Sequence, residues 1–154
     1  MGTIKSTCII LLILMTNSNN VSAASASAPQ SANSKLIVEI HTRNNQGKIM
    51  ALLFNKEKGF PNDAISAHRQ GIGEIHNMNA EIVFQQLQAG NYALVLFHDE
   101  NNDSKLNKHW YGKPEEGVAT SNNVIPRFSS PTFEECRFYL SGDLKINLAI
   151  HYFD

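Results

Sequence analysis

From Lys35 to the C-terminus, apolar and polar residues alternate with a period of two, and no other feature constrains the chain as much. Successive side chains of an extended backbone point to opposite faces, so this alternation marks strands with one face in a core and the other in water. Leu36, Val38 and Ile40 share one parity and Glu39 and His41 the other; Leu144, Ile146, Leu148, Ile150 and Tyr152 repeat the pattern against Lys145, Asn147 and His151. The stretches 47–55 and 91–97 are apolar at both parities, which predicts central strands with little water on either face. Further strands are predicted over 72–76, 80–87 and 135–140, with turn signals at 44–47, 77–79 and 141–143. The expected fold is all-β, a seven-stranded Ig-like sandwich.

The run Leu87-Gln88-Ala89-Gly90-Asn91-Tyr92 sets a glycine-containing corner just before a tyrosine that opens a central strand. In Greek-key sandwiches such a tyrosine hydroxyl bonds back to the corner's backbone, so a tyrosine corner is predicted at Tyr92. The same run resembles the leucine, x, x, glycine, x, tyrosine signature of transthyretin-like and carboxypeptidase-regulatory-like modules. Two segments interrupt the strands. In 55–71, Asp63 is placed to cap a short helix and Gly71 to end it. The segment 98–133 runs 36 residues without strand or helix period. Loops beyond roughly 15 residues in a compact domain are usually functional or disordered, and this one is rich in aromatics, so any site is expected there.

The N-terminus reads as an export signal. A positive start at 1–5 precedes an apolar run at 8–15, and Val21-Ser22-Ala23 supplies a small-x-small cleavage pattern, placing a signal peptide at 1–24. The apolar run is too short to cross hydrocarbon that needs about 20 helical residues, so no membrane anchor is expected after cleavage. The segment 25–34 is poor in apolar side chains and reads as a flexible lead into one β-sandwich domain over 35–154. Removing Lys5 with the signal leaves 12 basic against 14 acidic residues. The basic residues are scattered along the chain, so no nucleic-acid partner is expected. Cys8 falls within the signal, which leaves Cys136 as the single thiol and rules out an internal disulfide in the mature chain. Its parity with Phe138 and Leu140 predicts a core position.

Within the long segment, Asp99, Asn101 and Asp103 occupy positions 1, 3 and 5 of a calcium-binding loop, and the Lys105 carbonyl could serve at position 7. Ser104 stands where such loops carry glycine and Trp110 where they carry an acid, so a bidentate ligand would have to come from Glu115, Glu116 or Glu134. The competing reading is an Asx-rich turn in which Asp and Asn bond their own backbone without metal. The six histidines form no His-x-His or His-x-x-x-His pair. His98 beside Asp99 and His109 beside Trp110 are the only pairings that could assemble a hydrolase-type site. There is no nucleophile elbow and no glycine-rich phosphate loop. Trp110, Tyr111, Phe128 and Phe133 either fold back on the sandwich or stack on a sugar or peptide; His98, Trp110 and Tyr111 are the candidate ligand-binding residues.

Taken together, Gly47 to Asn55, Gly59-Phe60-Pro61, Leu87 to Tyr92, Phe97-His98-Asp99-Glu100-Asn101, Ser121-Asn122-Asn123 and Phe133-Glu134-Glu135 resemble, in order, the bacterial domain of unknown function 2141. The resemblance covers essentially 35–152 and implies an exported bacterial β-sandwich with no catalytic residues to carry over. Ser104 departs from the glycine-rich loop that family members commonly show after Asp99. The function expected is therefore a non-catalytic binding or structural module of the bacterial envelope or exterior, periplasmic or secreted, contacting an envelope or extracellular ligand. A calcium-stabilised module and a His98/Asp99/His109 hydrolase are the alternatives. No cofactor is expected, calcium being the one candidate.

Overall fold

The alternating segments become two facing sheets. The computed structural model describes residues 33–125 and 129–153, so the signal peptide, the lead segment up to residue 32 and Phe128 lie outside the described residues. Leu36, Val38 and Ile40 turn inward from β1 (Ser34–His41), and β1 already begins at Ser34, which is buried. It is flanked by antiparallel β4 (Asn79–Leu87) and parallel β8 (Leu144–Ala149), giving a three-stranded sheet in the order β4, β1, β8. The second sheet runs β3 (Arg69–Glu74), β2 (Lys48–Phe54), β5 (Gly90–Asp99), β6 (Val118–Thr120), and β7 (Phe138–Leu140) also pairs with β5. The two stretches that are apolar at both parities are β2 and β5, and both are central.

The sheets close on one apolar core built from Leu36, Val38, Ile49, Leu53, Leu87 and Leu94, all with no exposed surface. At one corner β3 turns into β4 through Asn77 and Met78, whose φ of 52° and 59° match a type I′ hairpin turn. There β3 meets the facing strand so closely that a Cβ on Gly71 would lie 2.6 Å from Ile82. The opposite corner is stitched by Val118 and His151, which exchange backbone hydrogen bonds of 2.9 and 2.8 Å. Tyr92 forms the predicted corner, its hydroxyl donating to the Gln88 carbonyl at 2.9 Å.

Eight strands stand where seven are expected, and three assignments shift. Residues 63–71 hold no helix: Asp63 accepts hydrogen bonds from the Ile65 amide and the Ser66 hydroxyl, making a side-chain-closed turn, and the chain is already in β3 by Arg69. The short helix is instead α1 (Phe133–Cys136), where a strand from 135 is expected; Thr132 and Glu135 cap each other's backbone at its start. The long segment is not bare loop, since β5 continues through Asp99 and β6 and a 3-10 turn at Ser121–Asn123 lie inside it. A three-residue strand is too short to show a period. Cys136 is fully buried as expected, but from the helix, in a second cluster with Phe54, Ala93 and Phe133.

Candidate functional site

The register of β2 against β5 sets Lys48 beside Asp99, and at this end of the sandwich four segments converge: 42–47, the β3–β4 turn, 100–117 and the chain after β8. Gly47 makes the convergence feasible. Its φ is 68°, and a Cβ there would sit 1.8 Å from the Asp99 carbonyl oxygen, so any other residue would push the β1–β2 turn off the end of β5.

Asp99 organises the excursion that follows. Its carboxylate is wholly buried and accepts the amides of Asp103 at 3.1 Å and Ser104 at 3.0 Å, with the Lys48 ammonium 3.5 Å away. Asn101 also accepts the Asp103 amide, and Asp103 accepts the Lys105 amide. A hydrogen bond from the Asn107 side chain holds the Asp103 carboxyl below its usual range. Ser104 takes a φ of 61°, the left-handed conformation that glycine supplies in calcium loops, and its hydroxyl receives Lys48 Nζ at 3.1 Å. From the far side Glu116, 6 % exposed, accepts the amides of Glu100 at 3.1 Å and Asn107 at 3.2 Å. Burial pushes its acidity to higher pH, with Asp99 and Asp103 adding repulsion against those two hydrogen bonds.

His98, one residue earlier, has no exposed surface. Nε2 lies 2.7 Å from the Gln46 carbonyl, which can only accept, so that nitrogen carries the proton. Nδ1 lies 2.8 Å from the Tyr152 hydroxyl, and the same oxygen accepts the Arg43 amide at 3.1 Å. The Arg43 guanidinium lies over the Tyr152 ring, 4.4 Å from its centroid, and grips Glu100 through two hydrogen bonds of 3.0 and 2.6 Å. That pairing, joined by Asn44, draws the Glu100 carboxyl below its usual range.

Above this polar base the excursion narrows to a hairpin tip. Lys108 bridges Pro114, the His109 amide donates to the Lys113 carbonyl at 2.8 Å, and the Gly112 amide returns to the His109 carbonyl at 2.8 Å. The turn so closed displays Trp110 at 95 % exposure and Tyr111 at 56 %. Tyr111 stacks on His109 with centroids 5.1 Å apart and meets Trp110 nearly at right angles, with centroids 5.4 Å apart.

The expected site residues thus divide into base and tip. Asp99, Asn101, Asp103 and the Lys105 amide belong to one hydrogen-bonded loop, and Glu116 joins it from the segment leading into β6, whereas Glu134 of α1 pairs with Arg137 just beyond that helix. Among the described residues no three His, Cys, Asp or Glu side chains are arranged to hold a metal ion. His98, Asp99 and His109 serve three separate sets of partners: Gln46 and Tyr152, the loop amides and Lys48, and Glu115 at 3.3 Å. Of the loop aromatics, Phe133 folds back onto Phe60, with centroids 5.9 Å apart, and Trp110 and Tyr111 do not. Burial pushes the Cys136 thiol up, away from the thiolate form. A groove of about 260 Å³ opens between β7 and β8, lined by Asn122, Asn123, Phe138, Ile146 and Asn147, and includes none of the expected site residues.

The contributions of Arg43, Gln46, Lys48 and Tyr152 have no local motif in the sequence, because they reach the site from the β1–β2 turn, the start of β2 and the chain after β8, far in sequence from 98–117. No helix among the described residues is long and apolar enough to cross a membrane. Comparison with curated proteins and with solved structures finds no match. The family model described as "Uncharacterized protein conserved in bacteria (DUF2141)" matches residues 37–147, which reaches from within β1 to within β8 and includes the whole of the excursion. The chain belongs to the DUF2141 family of bacterial proteins.

Proposed function

We propose that this protein is an exported, non-catalytic binding module of the bacterial envelope or exterior, and that it makes contact through the tip of the 100–117 excursion. The observation that carries the reading is Trp110, 95 % exposed on a hairpin whose base is tied down by two buried carboxylates. Aromatic side chains with few rotatable bonds, held out from a fixed base, lose little entropy on contact, which is why tryptophan and tyrosine dominate binding hot spots. His98 lies beneath the excursion, its ring held between Gln46 and Tyr152. Its engagement there, and the suppressed thiolate of Cys136, support a non-catalytic role.

The test is retention of the full mature chain on isolated envelope fractions. Trp110→Ala/Tyr111→Ala is expected to lose retention with an unchanged melting temperature; equal retention by the double variant would contradict the reading. Export is tested by fractionating cells and sequencing the N-terminus, which is expected near Ala24. A chain retained in the cytoplasm with Met1 intact would contradict it.

A second reading, a calcium-stabilised module, draws on Glu116, a carboxylate buried against Asp99 and Asp103 where a hard cation would relieve the repulsion. Lys48 already supplies one positive charge to Asp99, so the metal-free turn is the better supported of the two. Melting in calcium against chelator decides: a higher melting temperature with calcium supports the metal, and identical curves remove it.

A further inference from the structure

The composition of the tip narrows the partner. Between Lys105 and Pro114 the chain reads Lys-Leu-Asn-Lys-His-Trp-Tyr-Gly-Lys-Pro, three lysines with no acid, in a protein whose formal net charge is −1. Lys105 and Lys108 are exposed, as are Trp110 and Tyr111. Met78, 42 % exposed, stands at the same end of the sandwich, its amide held by the Asn45 side chain at 2.6 Å. Of the acids in the excursion, Asp99 and Glu116 are turned inward to backbone amides, Glu100 is paired with Arg43 and Glu115 with His109, and Asp103, which is exposed, accepts from the Lys105 amide and the Asn107 side chain. The 105–114 turn itself is therefore basic and aromatic, with the exposed acids Asp103 and Glu115 flanking it and Asp99 and Glu116 buried at its base.

Tryptophan and tyrosine settle at the boundary between lipid headgroups and acyl chains, where an apolar ring and a polar N–H or O–H are both satisfied. Lysines beside them are drawn to anionic headgroups. Stacking on a neutral sugar would use the rings but would leave the lysine pattern without a role. The acidic remainder of the molecule is repelled by the same surface, which orients the tip toward it.

We infer that the 105–114 hairpin is a peripheral membrane contact that seats Trp110 and Tyr111 in the interface of an anionic phospholipid bilayer, with Lys105 and Lys108 on its headgroups. This rests on the reading of the tip as the contact surface and names what it contacts. Two signals of this kind, aromatic and basic, give reversible association, with no segment crossing the bilayer.

Trp110 is the only tryptophan in the chain, so its emission reports on the tip alone. The experiment titrates the full mature chain with vesicles of equimolar phosphatidylglycerol and phosphatidylcholine, and with phosphatidylcholine alone. On the mixed vesicles the emission is expected to move to the blue and become shielded from an aqueous quencher, with reversal by salt. Lys108→Gln and Lys105→Gln are each expected to weaken binding about fivefold, and Trp110→Ala, followed by co-sedimentation, about tenfold or more. Unchanged emission with mixed vesicles, or equal binding to both compositions, would overturn the inference. Envelope retention that depends on Trp110 but persists after lipid extraction would assign the tip to a glycan or protein, overturning the lipid inference and leaving the binding module standing. Retention independent of Trp110 would remove both.

Discussion

Leu94 and Asp99 lie on the same strand and both are fully buried, yet they are kept from water by opposite chemistry. Leu94 is one of many apolar side chains packed between two sheets, where loss of contact with water is itself the driving force. Asp99 is a charge taken out of water, tolerable only because two amides and the Lys48 ammonium replace its hydration. The interior can lose a methyl group and stay folded, since many neighbours share the deficit. The excursion is a network of single hydrogen bonds to specific carboxylates, so the loss of one is felt first in the loop. The architecture thus lets a polar hairpin be held in place on a sheet without contributing to the core.

The sharpest way to break this comparison is to truncate each side. Leu94→Ala opens a cavity between the sheets and should cost on the order of 3 kcal/mol in urea unfolding, with Trp110 emission unchanged in the folded state. Asp99→Ala strands two loop amides and Lys48 and should cost about 2 kcal/mol, together with a loss of Trp110 anisotropy before global unfolding. If Asp99→Ala leaves the anisotropy intact, the carboxylate does not hold the tip. Tyr92→Phe removes the hydroxyl bonded to Gln88 and should cost about 1 kcal/mol, confined to the sandwich and read by the same titration.

The smallest effect is a slope. Glu116 holds its proton in the folded state above the ordinary value of 4.5, so it penalises folding as pH rises from 4.5 through its raised folded value, and not below. Glu100 runs the other way: its lowered folded value contributes stability above 4.5 that is lost as pH falls through that value. Melting temperature against pH should therefore lose its descending limb in Glu116→Gln and keep its acid limb. An unchanged descending limb would mean that Glu116 is not the group responsible.

The same contrast explains what could be read from the residues alone. Burial by apolar packing leaves a trace in the sequence: a period of two in β1 and β8 and an unbroken apolar run in β2 and β5. Burial by side-chain hydrogen bonds leaves none. Asp99, Asn101 and Asp103 show as an oxygen-rich turn, but that Lys48 and Glu116 complete it depends on strand register. Asp63 looks like a helix cap because the same carboxylate closes an Asx turn equally well. The start of α1 carries a local signal that the expected strand over 135–140 leaves out: Thr132 followed three residues later by Glu135 is a capping box, while Cys136, Phe138 and Leu140 share a strand-like apolar parity. His98 beside Asp99 suggests chemistry, yet successive residues on a strand face opposite ways, and each is absorbed by a different neighbour.

The central claim, that buried carboxylates fix the base from which Trp110 projects, is tested most directly by native-state amide exchange at Asp103, Ser104 and Asn107. The account predicts that these three loop amides, held by Asp99 and Glu116, exchange as slowly as loop-adjacent amides of β5 and slower than the exposed turn at Trp110. Exchange at all three as fast as at Trp110 would contradict it.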